Sequence, residues 1–585
     1  MFLSTKTKEK MVEHNMLLGD VILDYGAPGN DSSFDAKLRW LRSQVIGGFA
    51  EIQTPFGRRK LTYADHTASG RCLRYIEDYI IQTVLPFYGN THTSDNYVGH
   101  QTMTMLQEAT DFVKKCLGGT QHDALLFCGS GTTAAIKRLQ EVLGITVPSI
   151  LKERVLNSCL GIEERWVVFV GPYEHHSNLL SWRQSLAEVT EIGLDKEGMI
   201  DMEDLKVRLE FYQGTGRPML ASFSACSNVT GICSDTRSLA RLLHEFGALA
   251  CFDFAASGPY VEIDLRSGDV DGYDAIMLSP HKFVGGPGSP GILLMNKALY
   301  QLKYAPPSTC GGGTVNFVNC FNEQDTLYVN DIEEREDAGT PQIIQRVKTA
   351  LAFQVKEYIK CEAINKKEVD YIERALKRLV KHPNIWVLGN TKVQRHSILS
   401  FLIYTTTYSN TRDKPLHGAF VAKLLNDLFG IQARGGCACA GPYAHVLLGI
   451  DEPYSLAIKS AVKKGYNGAK MGWTRVSFPY YMSSEEYDFI LDAIDFVADY
   501  GQRFLPLYHF NWNTGSWSFK TNNPDGETFI RGKNCSEQKV MDLDVINRYA
   551  SYMKVAKHIG NMLSEFPSQS TLPKDIDSIY VFSQV

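Results

Sequence analysis

Lys282 stands between Ser279-Pro280-His281 and a run of glycines and prolines, Gly285–Gly291, which cannot sustain a helix. The apolar stretch Ile292–Met295 that follows reads as a buried strand. A lysine in a glycine-rich loop between apolar segments suits Schiff-base chemistry with a carbonyl cofactor, in a site where burial keeps the amine partly unprotonated. A solitary loop lysine is ordinarily just solvated, so its company elsewhere decides. Gly129-Ser-Gly-Thr-Thr133 closes a buried strand and opens a helix expected from Ala134, where backbone N–H groups, hydroxyls and the helix dipole together favour an anion. It is not a Walker loop, because no Gly-Lys-Ser/Thr ends it. Gly286, Gly288 and Gly291 spell G-x-G-x-x-G, but prolines occupy two intervening positions and a strand follows, so a dinucleotide fingerprint is rejected. The loop Ala433–Pro442 carries two thiols, Cys437 and Cys439, and the strand Gly472–Phe478 carries Arg475.

These residues need a frame. Strands near 125, 167, 220, 250, 276 and 292, with helices between them, imply an α/β fold with a mostly parallel sheet and crossover helices. Loops at the carboxyl ends of such strands converge on one crevice. Those loops hold Thr133, His175, Asn228, Asp253 and Lys282. A second α/β domain is expected from helices and strands after Pro341. The resulting division is an N-terminal segment, 1–59, associated with the small domain; a large domain, 60–345; a small domain, 346–505; and an extension of unassigned role, 506–585, with a helix near Val545–Leu563.

Composition narrows the class. The chain of 585 residues is 44% apolar and 21% charged, as ordinary soluble globular proteins are. A net charge of −5 gives no reason to expect nucleic acid or an anionic membrane as partner. The N-terminus lacks a signal-peptide core, and no apolar run approaches a membrane span. Thirteen scattered cysteines, an odd number, fit reduced thiols in the cytoplasm better than a disulfide framework.

In order along the chain, LTYADHTASG, GSGTTAAI, EHHSNLLSW, SNVTG, Asp253, SPHK, DAGTP, RGGCACAGP and TRVSF resemble the class V aminotransferases, most of all the cysteine desulfurases. The resemblance covers about residues 60–500. It implies the type I pyridoxal 5′-phosphate fold, a large domain with a seven-stranded sheet plus a smaller α/β domain, in a homodimer with its active site at the interface. Lys282 matches the lysine that bonds the cofactor and moves the substrate proton. Asp253 matches the partner of the pyridinium nitrogen, and His175 the imidazole stacked on the ring. Thr132, Thr133, Ser279 and His281 match the phosphate cup, with Thr340 reaching across from the partner subunit. Asn228 matches a residue near the cofactor hydroxyl and the substrate. Arg475 matches the arginine that forks onto the substrate carboxylate, a bidentate task that lysine does poorly. Cys439 falls at the nucleophilic cysteine of the family's Arg-Thr-Gly-x-x-Cys motif. The resemblance therefore implies a sulfurtransferase that converts L-cysteine to L-alanine, leaves a persulfide on Cys439 and hands the sulfur to an acceptor protein.

Two departures stand out. The family's Asp-Gly-Ala-Gln is here Asp253-Phe-Ala-Ala256, so the glutamine facing the cofactor's phenolic oxygen is missing. Cys437 adds a second thiol, a C-x-C arrangement that is similar to the sulfurase domain of molybdenum-cofactor sulfurases. Cys437, Cys439 and His445 lack a fourth metal ligand, and no metal is expected. Two other readings use the same residues: a different class V reaction on an amino acid (transamination, lyase or epimerase chemistry), or a silent scaffold that binds a partner. A silent scaffold has no chemical need for Lys282, Asp253 and His175 together.

Overall fold

The computed structural model describes residues 21–322, 324–406, 412–520 and 542–567, together with Pro573 and Ser583. The chain divides into two compact units, each assembled from separated segments.

The first unit contains residues up to Ile46, Ser69–Ala225 and Ser234–Asn365. Its principal elements in chain order are α1 (Phe34–Gln44), α2 (Tyr97–Cys116), β1 (Asp123–Cys128), α3 (Gly131–Val142), β2 (Val167–Val170), α4 (His176–Arg183), β3 (Glu188–Glu191), α5 (Met202–Gln213), β4 (Met219–Ser224), α6 (Thr236–Glu245), β5 (Leu249–Asp253), β6 (Ala275–Leu278), β7 (Gly291–Asn296) and α7 (Ile343–Ile359). The seven strands form one sheet in the order β1-β7-β6-β5-β4-β2-β3. Only β7 runs antiparallel to its neighbours, which are β1 and β6. The mostly parallel seven-stranded sheet is thus the one expected. β1, β2, β4 and β6 are buried along their whole length, which is why β1, β2 and β6 read as apolar runs instead of alternating ones, while β4 carries the buried Ser222 and Ser224. β3 escaped the sequence reading because it is only partly covered: this edge strand, Glu-Val-Thr-Glu, buries Thr190 alone, whereas β1 at the opposite edge is buried throughout. Under the sheet, Leu126, Ala135, Ile136, Leu139, Val168, Trp182 and Leu293 belong to one core that locks α3 and α4 against the strands.

The second unit contains Gly47–Ala68, Cys226–Cys233 and the chain from Lys366 onward. These boundaries differ from the segmentation expected at 59 and 345. α7 packs on α2 and so joins the first unit, whereas Thr62–Tyr63 pairs in parallel with Ile431–Gln432 and draws the segment before it into the second. Further elements are α8 (Cys361–Leu379), β8 (Ile385–Val387), β9 (Ile398–Thr406), α9 (Gly418–Phe429), β10 (Arg434–Gly436), α10 (Gly441–Leu448), β11 (Trp473–Ser477), α11 (Ser484–Tyr500), β12 (Tyr508–Asn511), β13 (Ser516–Phe519) and α12 (Asp542–Met562). An antiparallel sheet, β8-β9-β11-β10, takes Arg412–Pro415 as an additional strand on β9.

Of the chain beyond 505, the β12–β13 hairpin and α12 are part of this unit's core. Tyr508, Phe510 and Trp517 of the β12–β13 hairpin, and Tyr549, Tyr552 and Ala556 of α12, are buried with Phe401, Phe420, Leu424, Val476 and Ile490. Tyr549 stacks on Phe489 at 3.9 Å between ring centroids, and its hydroxyl accepts from Lys60 Nζ at 3.3 Å. Lys60 Nζ also meets Glu486 Oε1 at 2.8 Å, while its backbone N–H donates to the Tyr552 hydroxyl. The helix therefore ties the antiparallel hairpin of strands Glu51–Thr54 and Gly57–Lys60 to α11. Tyr549→Ala is expected to lower the unfolding free energy by about 3 kcal/mol, as loss of a buried aromatic ring does; a urea midpoint unchanged from wild type would show that α12 is dispensable. Among the described residues, no helix is long and apolar enough to cross a membrane.

Candidate active site

In the first unit the site grows from the carboxyl ends of β1, β2, β5 and β6. The apolar β1 stops at Gly129-Ser130, and α3 begins at Gly131, three residues earlier than the sequence suggested. Thr132 and Thr133 thus lie in the first helical turn, where backbone N–H groups have no intrahelical partner. Gly131 has φ +60°, and a Cβ there would come within 2.7 Å of His281 Cε1 and 2.9 Å of Ser279 Oγ. Only glycine allows so close an approach of these groups. The Thr132 N–H donates to Ser279 Oγ at 2.9 Å, and the two hydroxyls share a hydrogen bond of the same length. Thr133 bonds the Ser177 hydroxyl at 2.7 Å, and Ser177 Oγ lies 3.1 Å from His175 Nδ1. His175 caps α4 by accepting the Ser177 N–H at Nδ1, so in the neutral ring the proton sits on Nε2.

Asp253 ends β5, nearly fully buried, and accepts the Ala255 N–H at 2.8 Å. Burial raises its carboxyl above the usual range; the Ala255 N–H, the positive charge of Lys282 and a hydrogen bond from Thr132 oppose that rise. Lys282 closes the single turn Pro280–Lys282 after β6. His281, beside it, is held below the usual imidazole range by burial and then by the Lys282 charge, which favours the neutral ring. The structure thus brings together Thr132, Thr133, His175, Asp253, Ser279, His281 and Lys282. Thr340, expected to act from a partner subunit, donates its hydroxyl to Asn90 Oδ1 at 3.0 Å in its own chain. Ala256 is buried and offers no side-chain donor where the family's glutamine stands.

Glu174 was missed by the sequence reading, although it precedes His175 in a motif singled out for its histidines. It is fully enclosed, accepts the Ser224 N–H and hydroxyl at 2.8 Å each, and accepts Asn178 Nδ2 at 2.5 Å. Asn178 in turn holds the Ser222 hydroxyl and Trp182 Nε1. This network fixes the β2–α4 turn that presents His175. Burial raises the Glu174 carboxyl to about 7, with three hydrogen bonds opposing and the Asp253 charge adding to the rise. Since the folded carboxyl binds its proton more tightly than the unfolded one, stability from this group is full below about 4.5 and falls as pH rises toward 7. Glu174→Gln is expected to flatten that part of a urea-stability profile taken against pH. An unchanged slope would assign the pH dependence to other groups.

The second unit holds the remaining residues. Arg475, on β11, is buried; its Nη1 donates to the Asn228 carbonyl at 2.9 Å and its Nη2 to Asp65 Oδ1 at 2.7 Å. Burial lowers the guanidinium below its ordinary range, Asp65 opposes that, and the charge of Arg434, its register partner on β10, adds to it. Asp65 lies within the LTYADHTASG motif, where nothing local marks it as the partner of Arg475. The Asn228 amide donates to the Ala438 carbonyl at 2.8 Å. Arg475 Nε and Asn228 Oδ1 are buried without hydrogen-bond partners. Such orphaned atoms cost about 1–3 kcal/mol each and mark positions that a polar ligand satisfies.

Cys439 follows Ala438 on a tight turn in which both are left-handed, at φ +58° and +52°. Two successive non-glycine residues in that region store backbone strain, of order 1 kcal/mol each, which the surrounding bonds must sustain. Cys437 and Cys439 are half-buried free thiols. Both ring nitrogens of His445 are engaged, with the Gly441 carbonyl and the Ser455 hydroxyl at 2.8 Å each, so this ring does not face the two thiols as a ligand.

Residues 62–490 match the family model of the class V aminotransferases. Probable cysteine desulfurases of Staphylococcus epidermidis and Staphylococcus aureus are each 25% identical to the chain, over 420 and 408 residues; these cover 70% and 68% of the chain and 89% and 88% of the relatives. Among solved structures, the apo cysteine desulfurase of Thermococcus onnurineus NA1 aligns with a TM-score of 0.59 at 21% identity, covering 79% of this chain and 98% of that one. The Escherichia coli cysteine desulfurase CsdA aligns with 0.57 at 20%, covering 78% and 97%. With the family match spanning most of its length, the chain belongs to the class V aminotransferase family.

Proposed function

We propose that this chain is a pyridoxal-phosphate-dependent cysteine desulfurase. The residues of the first unit fit that cofactor: the α3 N-terminus, Thr132, Thr133, Ser279 and His281 offer hydroxyl, imidazole and N–H groups to a phosphate, Asp253 a buried carboxylate to a ring nitrogen, His175 a flat ring, and Lys282 an amine. When bound, the cofactor supplies the electron sink that lets the substrate's Cα–H and Cβ–S bonds break. Lys282 Nζ then moves the Cα proton. Arg475 orients the substrate, because a carboxylate docking side-on satisfies Nε and takes the place of Asp65 at Nη2. The Asn228 amide keeps the Ala438 carbonyl, and with it the Cys439 turn, in place.

The observation that carries the reading is the Cys439 thiol, half-exposed on a strained turn anchored by Asn228. Its thiolate attacks the substrate sulfur; the Cβ–S bond breaks and an S–S bond forms, so that L-cysteine plus thiol gives L-alanine plus persulfide. An acceptor protein, or an added thiol reductant, then removes the outer sulfur. A homodimer, with Thr340 serving the partner's phosphate site, and a reducing cytoplasm complete the proposal. Transamination or lyase chemistry would employ Lys282 equally but leave the Cys439 turn without a task. The test is to give the cofactor-loaded protein L-cysteine and a thiol reductant. Equal amounts of sulfide and alanine support the proposal; cofactor bound at Lys282 with no sulfide overturns it in favour of another class V reaction.

A further inference from the structure

The segment Ala225–Ser234 folds back as a hairpin around Asn228. Cys226 and Cys233 face each other across it as an isolated antiparallel bridge. Ser227 N–H bonds the Ile232 carbonyl and Ser234 N–H the Ala225 carbonyl, each at 2.9 Å, so the cysteines occupy a non-hydrogen-bonded pair, the kind that brings side chains closest. His396 is held against the same hairpin by its N–H bond to the Gly231 carbonyl at 2.8 Å. The two sulfurs and an imidazole nitrogen lie within 4.8 Å of one another. Tetrahedral zinc, with Zn–S near 2.3 Å and Zn–N near 2.0 Å, places its ligand atoms about 3.5–3.8 Å apart, so small rotamer shifts close the three onto one ion.

A fourth donor can come from α8: Glu368 lies outside that 4.8 Å cluster but close enough for its carboxyl to interact with His396 and Cys233. Glu368 is buried, and its Oε2 takes the Ser397 N–H and hydroxyl, whereas Oε1 is buried with no hydrogen-bond partner. A structure rarely leaves a buried carboxylate oxygen unpaired without cause. Arg395, buried beside the cluster, donates to the carbonyls of Thr230 and Leu388 and supplies a positive charge. Two thiolates, one carboxylate, a divalent cation and this guanidinium sum to zero, which makes the set tolerable in a buried place.

We propose that Cys226, Cys233, His396 and Glu368 form a structural zinc site, distinct from the cysteines of the Cys439 loop. Zinc binding displaces the two thiol protons and clips the 226–233 hairpin to the β8–β9 connection. That hairpin carries Asn228, whose backbone carbonyl holds Arg475 and whose amide holds Ala438, so the metal stiffens the support of both. A redox-active disulfide is the competing use of a cross-strand pair, but it would employ neither the imidazole nor the unpaired Glu368 oxygen.

The test is metal analysis of the full chain produced with zinc available. Close to one zinc per chain is expected in wild type and in Cys437→Ser/Cys439→Ser. X-ray absorption at the zinc edge of that double variant should show two sulfur neighbours with nitrogen and oxygen completing the set. Cys233→Ser should lose at least tenfold in zinc affinity and shift the visible spectrum of the cobalt-substituted protein. Because the absorption measurement leaves the proposed ligands intact, it remains decisive if Cys233→Ser fails to fold. A zinc-free wild type, a peptide pair joined by a disulfide between Cys226 and Cys233, or zinc lost only with Cys437 and Cys439 would each overturn the site.

Discussion

Cys439→Ser is expected to suppress sulfide release from L-cysteine by on the order of a thousandfold or more, while the visible band of the lysine-bound cofactor stays intact. A serine hydroxyl at this position is nearly isosteric but does not ionise near neutral pH and is a poor acceptor of sulfur. Its Cα keeps the same left-handed φ, so the turn and its Asn228 anchor should persist. Lys282→Ala is expected to remove both activity and the band, since no other amine closes the turn after β6. The pair separates roles that either variant alone would confuse. Full sulfide release from Cys439→Ser would sink the persulfide step and leave Cys439 a loop residue. A persisting visible band in Lys282→Ala would sink the assignment of Lys282.

How far these roles were legible in the sequence depends on where the physics is local. β1, β2 and β6 were readable because burial on both faces favours apolar runs, and the mostly parallel sheet follows from the spacing of the strands. β3 was not, because only Thr190 of its four residues is buried, so no apolar run is forced on it. Lys282 and Asp253 were found through turn chemistry and family resemblance, and the positive charge of Lys282 acts to lower the Asp253 carboxyl. Glu174 and Asp65 were missed for a shared reason: each acts through a partner far away in sequence, Ser224 for one and Arg475 for the other. The role of the tail was hidden in the same way. Nothing local in Tyr549 or Trp517 says that they fill the core beside Phe489 and Phe420; that is decided by long-range packing.

Arg475 carries the second large effect. Arg475→Lys is expected to raise KM for L-cysteine about tenfold with a smaller change in kcat, because the ammonium keeps the charge but not the fork that meets a carboxylate at two points. Arg475→Ala should raise KM by about a hundredfold and also lower stability by about 2 kcal/mol, since Asp65 and the Asn228 carbonyl lose their donor; the figure is kept below that of a fully buried pair because Asp65 is partly exposed. The two variants thus divide binding from folding. Were Arg475 only structural, Arg475→Ala would destabilise but KM would not move in Arg475→Lys. Asp65→Asn adds a directional check. Asp65 occupies Nη2 and leaves Nε unpartnered, so weakening it should free the guanidinium for the incoming carboxylate and lower KM several-fold. A raised KM in Asp65→Asn would instead mean that the pair holds Arg475 in its productive orientation. The substrate carboxylate would then dock at Nε without displacing Asp65, and the aspartate would be a positioning residue of the site.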